Sequence, residues 1–398
     1  MSYKFVTECR ACRSKELIPV FDLGLQPLAN EFRDLYEDRS GFFPLSVLLC
    51  PKCTLSQLSI EVDGELLYRD YKYVTSASNT MMRHFERLLQ DLESEAPEKR
   101  ICEIGSNDGL LLSFAHKRGY RVLGIEPALN LAALTAERGI QTIDEFFDQK
   151  SAHAAKDCIG NPAIILARHC FAHAPNWAEW IAGFEILTGP KTVIALEVPY
   201  VHDTLSKCEL DTIYHEHLSY VSITAIQHLL KESPFHVHRV IRYGIHGGTL
   251  LIMLRHKDSG IERHLSADEY LAEDVVTVEH WEKFSHEAHR NIIKLGTLVR
   301  DHVSNGKRVC GFGASAKATV WISACGFTEK DLLFVSDNSP LKPGTLIPGK
   351  TIPVIAQDEF LSEHPDYAVM FCWNYKSEVM ESNKKWRDRG GKFIVPCV

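Results

Sequence analysis

No contiguous basic stretch occurs anywhere in the 398 residues, and the formal charge is -8. A protein that binds nucleic acid by neutralising phosphates carries such a stretch, so that class is set aside. No run approaches the ~20 apolar residues that cross a bilayer. The opening MSYKFVTECRACR also lacks the apolar core of a signal peptide. A cytoplasmic protein with neither nucleic-acid nor membrane partners is the expectation. Low-complexity tracts and repeats at solenoid periods are absent too, which argues against repeat and disordered architectures. Twelve cysteines are too thinly spread for a secreted disulfide scaffold of this length.

What is there begins with the cysteines. CRAC supplies Cys9 and Cys12, and CPKC supplies Cys50 and Cys53. Each CxxC hairpin offers two thiolates to one tetrahedral zinc, and two such pairs complete a structural site. Their separation exceeds the usual zinc-ribbon spacing, so an insertion containing LQPLANEFRD lies between them. A redox CxxC is the competing reading, but it opens a helix in a thioredoxin-like unit and does not come as a matched pair. Cys102, Cys170 and Cys310 sit in apolar runs and read as small buried hydrophobes.

With 45% hydrophobic residues, the chain can build two or three domains. After the zinc module, SNTMMRHFERLLQDLESEA has helical spacing, and KRICEIGSNDGLLLSFAHKRGYRVLGIEPALN reads strand, glycine turn, helix, strand. The alternation continues through AIILARHC, APNWAEWIAGFEIL and KTVIALEVP, while VIRYGIHGGTLLIMLRH suggests two strands around a glycine turn. Ser266 to about Val303 is polar and helical, with no glycine before Gly296, and suits a bridge between domains. A shorter α/β series then runs from KRVCGFGASAKATVWISACG to KFIVPCV.

Two glycine loops raise two cofactor readings. In EIGSNDG, Glu103 lies at the strand end and Gly105 and Gly109 flank the turn, with Asn107 and Asp108 inside it. Asn107 occupies the place where a dinucleotide fingerprint needs glycine for pyrophosphate to approach. A ligand without pyrophosphate fits better, and S-adenosylmethionine is one, with Glu126 of the following strand, next to Pro127, able to accept both ribose hydroxyls. A tight structural turn is the plainer alternative. The second loop, GFGASA, matches G-x-G-x-x-A through Gly311, Gly313 and Ala316, around Ala314, with Asp337 at the ribose-carboxylate distance. Taken alone it says NAD, yet Lys317 directly after it could equally grip a nucleotide diphosphate.

The densest chemistry is YHEHLSYVS, where His215, Glu216 and His217 stand together after Tyr214. A metal site lacks a third ligand and neighbouring Asp or Cys partners. On an extended strand Tyr214 and Glu216 would face one side and the histidines the other; a loop conformation frees them, and active sites favour loops. Proton transfer and a solvated surface remain as readings.

The CxxC pairs, YKYVTSAS, EIGSNDGLL, FAHAPN, YHEHLSYVS and GFGASAKA…SDNSPLKPGTLIPG, in that order, resemble the S-adenosylmethionine-dependent sugar C-methyltransferases over nearly the whole chain. The resemblance implies an α/β multidomain protein: a zinc-binding domain at 1–75, a Rossmann-like class I methyltransferase domain at 76–260, and a C-terminal Rossmann-like domain at 261–398. It implies methylation, at C-3′, of a nucleotide-linked 4-keto-deoxysugar held between the central and C-terminal domains. The second glycine loop, with Gly313, Ala314, Lys317 and Asp337, then belongs to the substrate cradle. The family's Tyr-x-Glu-His pattern falls on Tyr214, Glu216 and His217, its AH-x-P histidine on His173, and its Y-x-Y tyrosines on Tyr71 and Tyr73. Where the family often has Asp between Tyr and Glu, this chain has His215. The chemistry implied is deprotonation beside a ketone, with His217 or a tyrosine as base, Glu216 orienting the ring, and the other groups holding the sugar and enolate oxygen. A monomer or weak homo-oligomer is expected. The rival readings are an NAD-dependent sugar-nucleotide oxidoreductase and a non-catalytic zinc-ribbon scaffold.

Overall fold

Four apolar runs, RICEI, RVLGI, IILAR and VIALEVP, form the centre of one sheet because helices cover both its faces. The computed structural model describes residues 2–34, 36–37, 41–77, 79–271 and 274–396; Ser78 of the Y-x-Y segment and the closing Cys397 and Val398 lie outside these. The chain divides into two compact units, the first made of 1–19, 48–203 and 217–277, the second of 20–47, 204–216 and 278–398.

In the first unit the sheet has seven strands: β1 (Arg100–Ile104), β2 (Arg121–Ile125), β3 (Thr142–Ile143), β4 (Ile164–Arg168), β5 (Val193–Pro199), β6 (Phe235–Tyr243) and β7 (Thr249–His256). Their spatial order is β6-β7-β5-β4-β1-β2-β3. The pairs among β1 to β5 are parallel, whereas β7 runs antiparallel to both β5 and β6. The expected pair of strands around the glycine turn is β6 and β7, joined at Ile245–Gly247. At Gly248, with φ 146°, an added Cβ would strike the Asp203 carboxylate.

The first unit's helices of eight residues or more are α1 (Asn79–Glu95), α2 (Leu110–Lys117), α3 (Leu129–Glu137), α4 (Gln149–Ile159), α5 (Trp177–Leu187) and α6 (Ile223–Leu230). α1 buries Met81, Phe85, Leu88, Leu89 and Leu92, the apolar stripe its spacing predicts. α4 starts with a capping box between Asp148 and Ser151. Trp177, Phe171 and Phe184 fill the adjoining core. The four zinc-site cysteines belong to this same unit, whereas residues 20–47 between the two pairs belong to the second. In the first unit Tyr3–Phe5 pairs antiparallel with Ile60–Val62, and Ser219–Tyr220 with Ser56–Leu58.

The second unit carries five parallel strands, β8 (Val309–Phe312), β9 (Val335–Asp337), β10 (Val354–Ala356), β11 (Tyr367–Met370) and β12 (Lys392–Ile394), in the order β10-β9-β8-β11-β12. The polar helical stretch resolves into a short helix, Ser266–Leu271, in the first unit and α7 (Val278–Ser304) in the second. α7 is anchored by Trp281 and Phe284, which pack on Phe21 with ring centroids 6.2 and 5.1 Å away. α8 (Ala316–Ala324) follows the second glycine loop and is capped by Ser315.

Candidate active site and zinc site

The loop after β1 turns at once into α2, and its backbone needs unusual angles to do so. Gly105, Asn107 and Gly109 have φ of 65°, 53° and 69°. A Cβ on Gly105 would meet Cys170 at 2.9 Å, and one on Gly109 would meet Thr135 at 2.7 Å, so both glycines are required by conformation and by space. Glu126, buried just past β2, accepts from the backbone N–H of Asn107 through Oε2 (2.7 Å) and of Ala128 through Oε1 (2.9 Å). Burial pushes its carboxyl above the usual range against these two bonds. Each oxygen keeps a second lone pair.

Other side chains of the loop hold the chain that precedes α1. Asn107 accepts from the Thr75 N–H (3.0 Å) and donates to the Tyr73 carbonyl (3.1 Å), and Asp108 accepts from Thr75 Oγ1 (2.5 Å) and the Ser76 N–H (3.2 Å). Asn130 brackets the backbone of Tyr71, and the Pro127 carbonyl accepts from Arg69 (3.1 Å). The Y-x-Y segment is thereby docked against the glycine loop. Below it, fully buried Glu103 pairs with Arg168 (2.8 Å), and burial lifts its carboxyl to about 7. Glu103 Oε2 has no partner among the described residues. A carboxylate able to accept from a ribose, glycines pressed against the backbone and a polar floor fit S-adenosylmethionine.

His173 lies on the turn Phe171–His173 beyond β4. Its ring stands between Tyr68, stacked at 5.8 Å and 14°, and His217 at 5.1 Å and 33°. Burial pulls His173 down to about 3, so it is neutral at physiological pH. Tyr68 also touches Tyr71, with centroids 6.0 Å apart. The YHEH stretch is a bend and turn, and the boundary between the two units falls between Glu216 and His217. On the second-unit side Glu216 accepts from Asn30 Nδ2 (2.8 Å). Buried His215 lies 3.2 Å from the Pro44 carbonyl through Nε2, which makes that nitrogen the donor, and is pulled down to about 4. Tyr214 precedes them in the same unit.

In the second glycine loop Gly311 lies within β8, where a Cβ would strike Phe371 and Val335, and Gly313 has φ 86° against Cys372. Lys317 pairs with buried Asp211 (3.0 Å) and sits over the Trp373 ring, whose Nε1 also donates to Asp211 (2.6 Å). Asp337 accepts from the Ser339 N–H (2.8 Å), and buried Lys342 lies 3.9 Å from its other oxygen while donating to the Ala314 carbonyl (2.7 Å). Tyr68, Arg168 and Lys342 carry no signal in the sequence. Asp211 has a weak one, standing three residues before Tyr214.

Cys9, Cys12, Cys50 and Cys53 bring their sulfurs within 4.8 Å of one another, and among the described residues they are the one metal-binding cluster found. Cys9 and Cys53 are 3.4 Å apart, Cys12 and Cys50 3.6 Å. Zinc–sulfur bonds of ~2.3 Å at tetrahedral angles demand about 3.8 Å between sulfurs, so the cage fits the ion. Both knuckles have one geometry: Arg13 and Thr54, each after a second cysteine, have φ of 59° and 61° and donate to the first cysteine's carbonyl at 2.9 Å.

Three family models match: "Putative zinc binding domain" over 9–68, "Methyltransferase domain" over 73–240 and "C-methyltransferase C-terminal domain" over 244–397. The chain is 31% identical to the C-methyltransferase NovU of Streptomyces niveus over 98% of its own length and 95% of that protein's. Among solved structures, an S-adenosylmethionine-dependent methyltransferase from Anabaena variabilis is 17% identical, covering 46% of this chain and 88% of that one at TM-score 0.36. The 1,6-didemethyltoxoflavin-N1-methyltransferase of Burkholderia thailandensis, with S-adenosylhomocysteine bound, is 14% identical, covering 46% and 80% at TM-score 0.32. The chain, with a zinc-binding domain ahead of a class I methyltransferase fold, belongs to the S-adenosylmethionine-dependent C-methyltransferase family.

Proposed function

We propose that the protein methylates a carbon next to the ketone of a nucleotide-linked 4-keto-deoxysugar, C-3′ by the family resemblance, as a step of deoxysugar biosynthesis. The observation that carries this reading is the ring array Tyr68–His173–His217, in the unit that also holds the glycine loop and Glu126. A carbon beside a ketone becomes a nucleophile only once its proton is removed and the enolate oxygen is stabilised. His217 is assigned the proton, with Glu216 supporting it. His173, held neutral, suits the other task, since a neutral imidazole N–H can donate to an oxyanion without surrendering its proton. Tyr214, Tyr71 and Tyr73 are assigned to the sugar. Bound S-adenosylmethionine supplies an electrophilic methyl group; Gly105, Gly109 and Glu126 would hold it, on a loop shaped by Glu103, Asn107, Asp108 and Pro127. The nucleotide end is assigned to Gly313, Ala314, Lys317 and Asp337.

Incubation with a 4-keto sugar nucleotide and S-adenosylhomocysteine in deuterium oxide separates deprotonation from methylation, because no methyl group is available. Exchange at the carbon beside the ketone is expected. In His217→Asn exchange and turnover should both fall by roughly 10²–10⁴, the share of a general base. Wild-type exchange in His217→Asn together with lost exchange in Tyr214→Phe would move the base to a tyrosinate.

A further inference from the structure

The residues that flank the zinc cysteines bond the chain beside the two histidines of the proposed site. Arg10, between Cys9 and Cys12, is buried, and its Nη1 donates to the Leu218 carbonyl (3.3 Å), one residue after His217. The same carbonyl accepts from the Leu58 N–H (3.0 Å). The next two residues, Ser219 and Tyr220, pair with Gln57 and Ser56, and Gln57 in turn accepts from the Arg10 N–H (2.9 Å) and donates to the Glu8 carbonyl (3.0 Å). Arg13, immediately after Cys12, donates to Asn176 Oδ1 (3.0 Å), and Asn176 caps α5 three residues beyond His173. Tyr68 stacks on His173 itself. One short knuckle thus touches the chain on the far side of both rings.

Arg10 is a buried guanidinium whose Nη1 bonds the Leu218 carbonyl. Its Nη2 lies 3.8 Å from Glu61, and Nε and Nη2 have no hydrogen-bond partner among the described residues.

We propose that the zinc module positions the histidine pair. The four-cysteine site fixes the backbone of residues 9–13, Arg10 carries that order to His217 through the Leu218 carbonyl, and Arg13 with Tyr68 carries it to His173. Arg10 and Tyr68 are positioning residues. This rests on the reading of His217 as the proton acceptor, and the test separates the two.

Full-length Arg10→Met keeps the apolar stem and removes the donor. Its zinc content and S-adenosylhomocysteine affinity should match wild type, while kcat falls on the order of tenfold to a hundredfold with KM for the sugar nucleotide nearly unchanged, the split expected when only the catalytic geometry loosens. Independently of activity, the imidazole titration of His217, followed by NMR of labelled histidine and assigned by its absence in His217→Asn, should shift by about half a pH unit as its surroundings change. Arg10→Lys, which retains a donor, should restore part of both. A shifted titration with unchanged deuterium exchange would support the positioning and remove His217 as base. An unshifted titration with wild-type kcat overturns the positioning itself. Should Arg10→Met fail to bind zinc, Tyr68→Leu gives the same readings through His173, and an unshifted His173 and His217 there overturns the proposal equally.

Discussion

Replacing Glu126 tests the cofactor site at its most constrained residue. Its two oxygens hold Asn107 and Ala128 at 2.7 and 2.9 Å, and one lone pair on each remains for the ribose. The two loop bonds exist with or without ligand, so their loss weakens the loop in both states and largely cancels from the affinity. What binding loses in Glu126→Ala is the ribose pair, at about 1.5–3 kcal/mol for hydrogen bonds to a charged group. That is roughly tenfold to a hundredfold in Kd for S-adenosylhomocysteine. Glu126→Gln is not the mild change it looks, because its amide nitrogen would face the N–H of Asn107 or Ala128, donor against donor, and it should lose at least as much. The pH dependence follows from burial, which raises the Glu126 carboxyl. Protonation removes the acceptor, so affinity is complete above the raised pKa and falls as pH drops through it, at higher pH than for an ordinary glutamate. Isothermal titration calorimetry reads all three. Affinities within about twofold of wild type for both variants, at a signal adequate to see tenfold, would remove Glu126 from the ribose site.

Elemental analysis of purified protein is expected to find about one zinc per chain, as four thiolates in a single cage require. Cys9→Ser or Cys50→Ser should lower both thermal stability and kcat, and metal-free protein that is folded and fully active refutes a structural role. Fully buried Glu197 bonds His84 Nε2 at 2.5 Å, and that bond is the largest influence lowering its carboxyl to about 2 against the cost of burial. A depressed carboxylate stabilises the fold above its unfolded pKa of ~4.3 and loses that contribution as pH falls to about 2, on the order of 3 kcal/mol in all. Glu197→Gln should therefore be less stable near neutrality and show a flatter acid limb in melting experiments over that window; an acid limb identical to wild type would refute the linkage.

How much of this is legible in the sequence depends on how local each feature is. The strands β1, β2, β4 and β5 are legible as apolar runs because both faces of the sheet are covered. Thr142–Ile143 and Val354–Ala356 are not, since two or three residues carry no period. The zinc cage is legible because each CxxC closes its own knuckle through local bonds. Arg10 and Tyr68 are not, because their partners at Leu218 and His173 lie more than a hundred residues away, and nothing in RAC or LLY announces them. Asn107 and Asp108 illustrate the middle case: the loop is legible, but not that their side chains hold the backbone at Tyr73, Thr75 and Ser76.

The three histidines around YHEH show how burial divides labour that sequence leaves undivided. His173, His215 and His217 are the same residue type with the same unperturbed pKa, and any of them could be written as a base. Burial pulls His215 down to about 4, and its Nε2 donates to the Pro44 carbonyl, so it is engaged as a neutral donor on the second unit. His173, at about 3, is too weak a base to keep a proton taken from carbon at neutral pH, yet its neutral ring remains a competent hydrogen-bond donor to a developing oxyanion. The proposed reaction assigns proton acceptance to His217, whose ring lies 5.1 Å from that of His173, or to a tyrosine. In that reading His173, kept neutral by burial, donates to the developing oxyanion while the proton goes to another group.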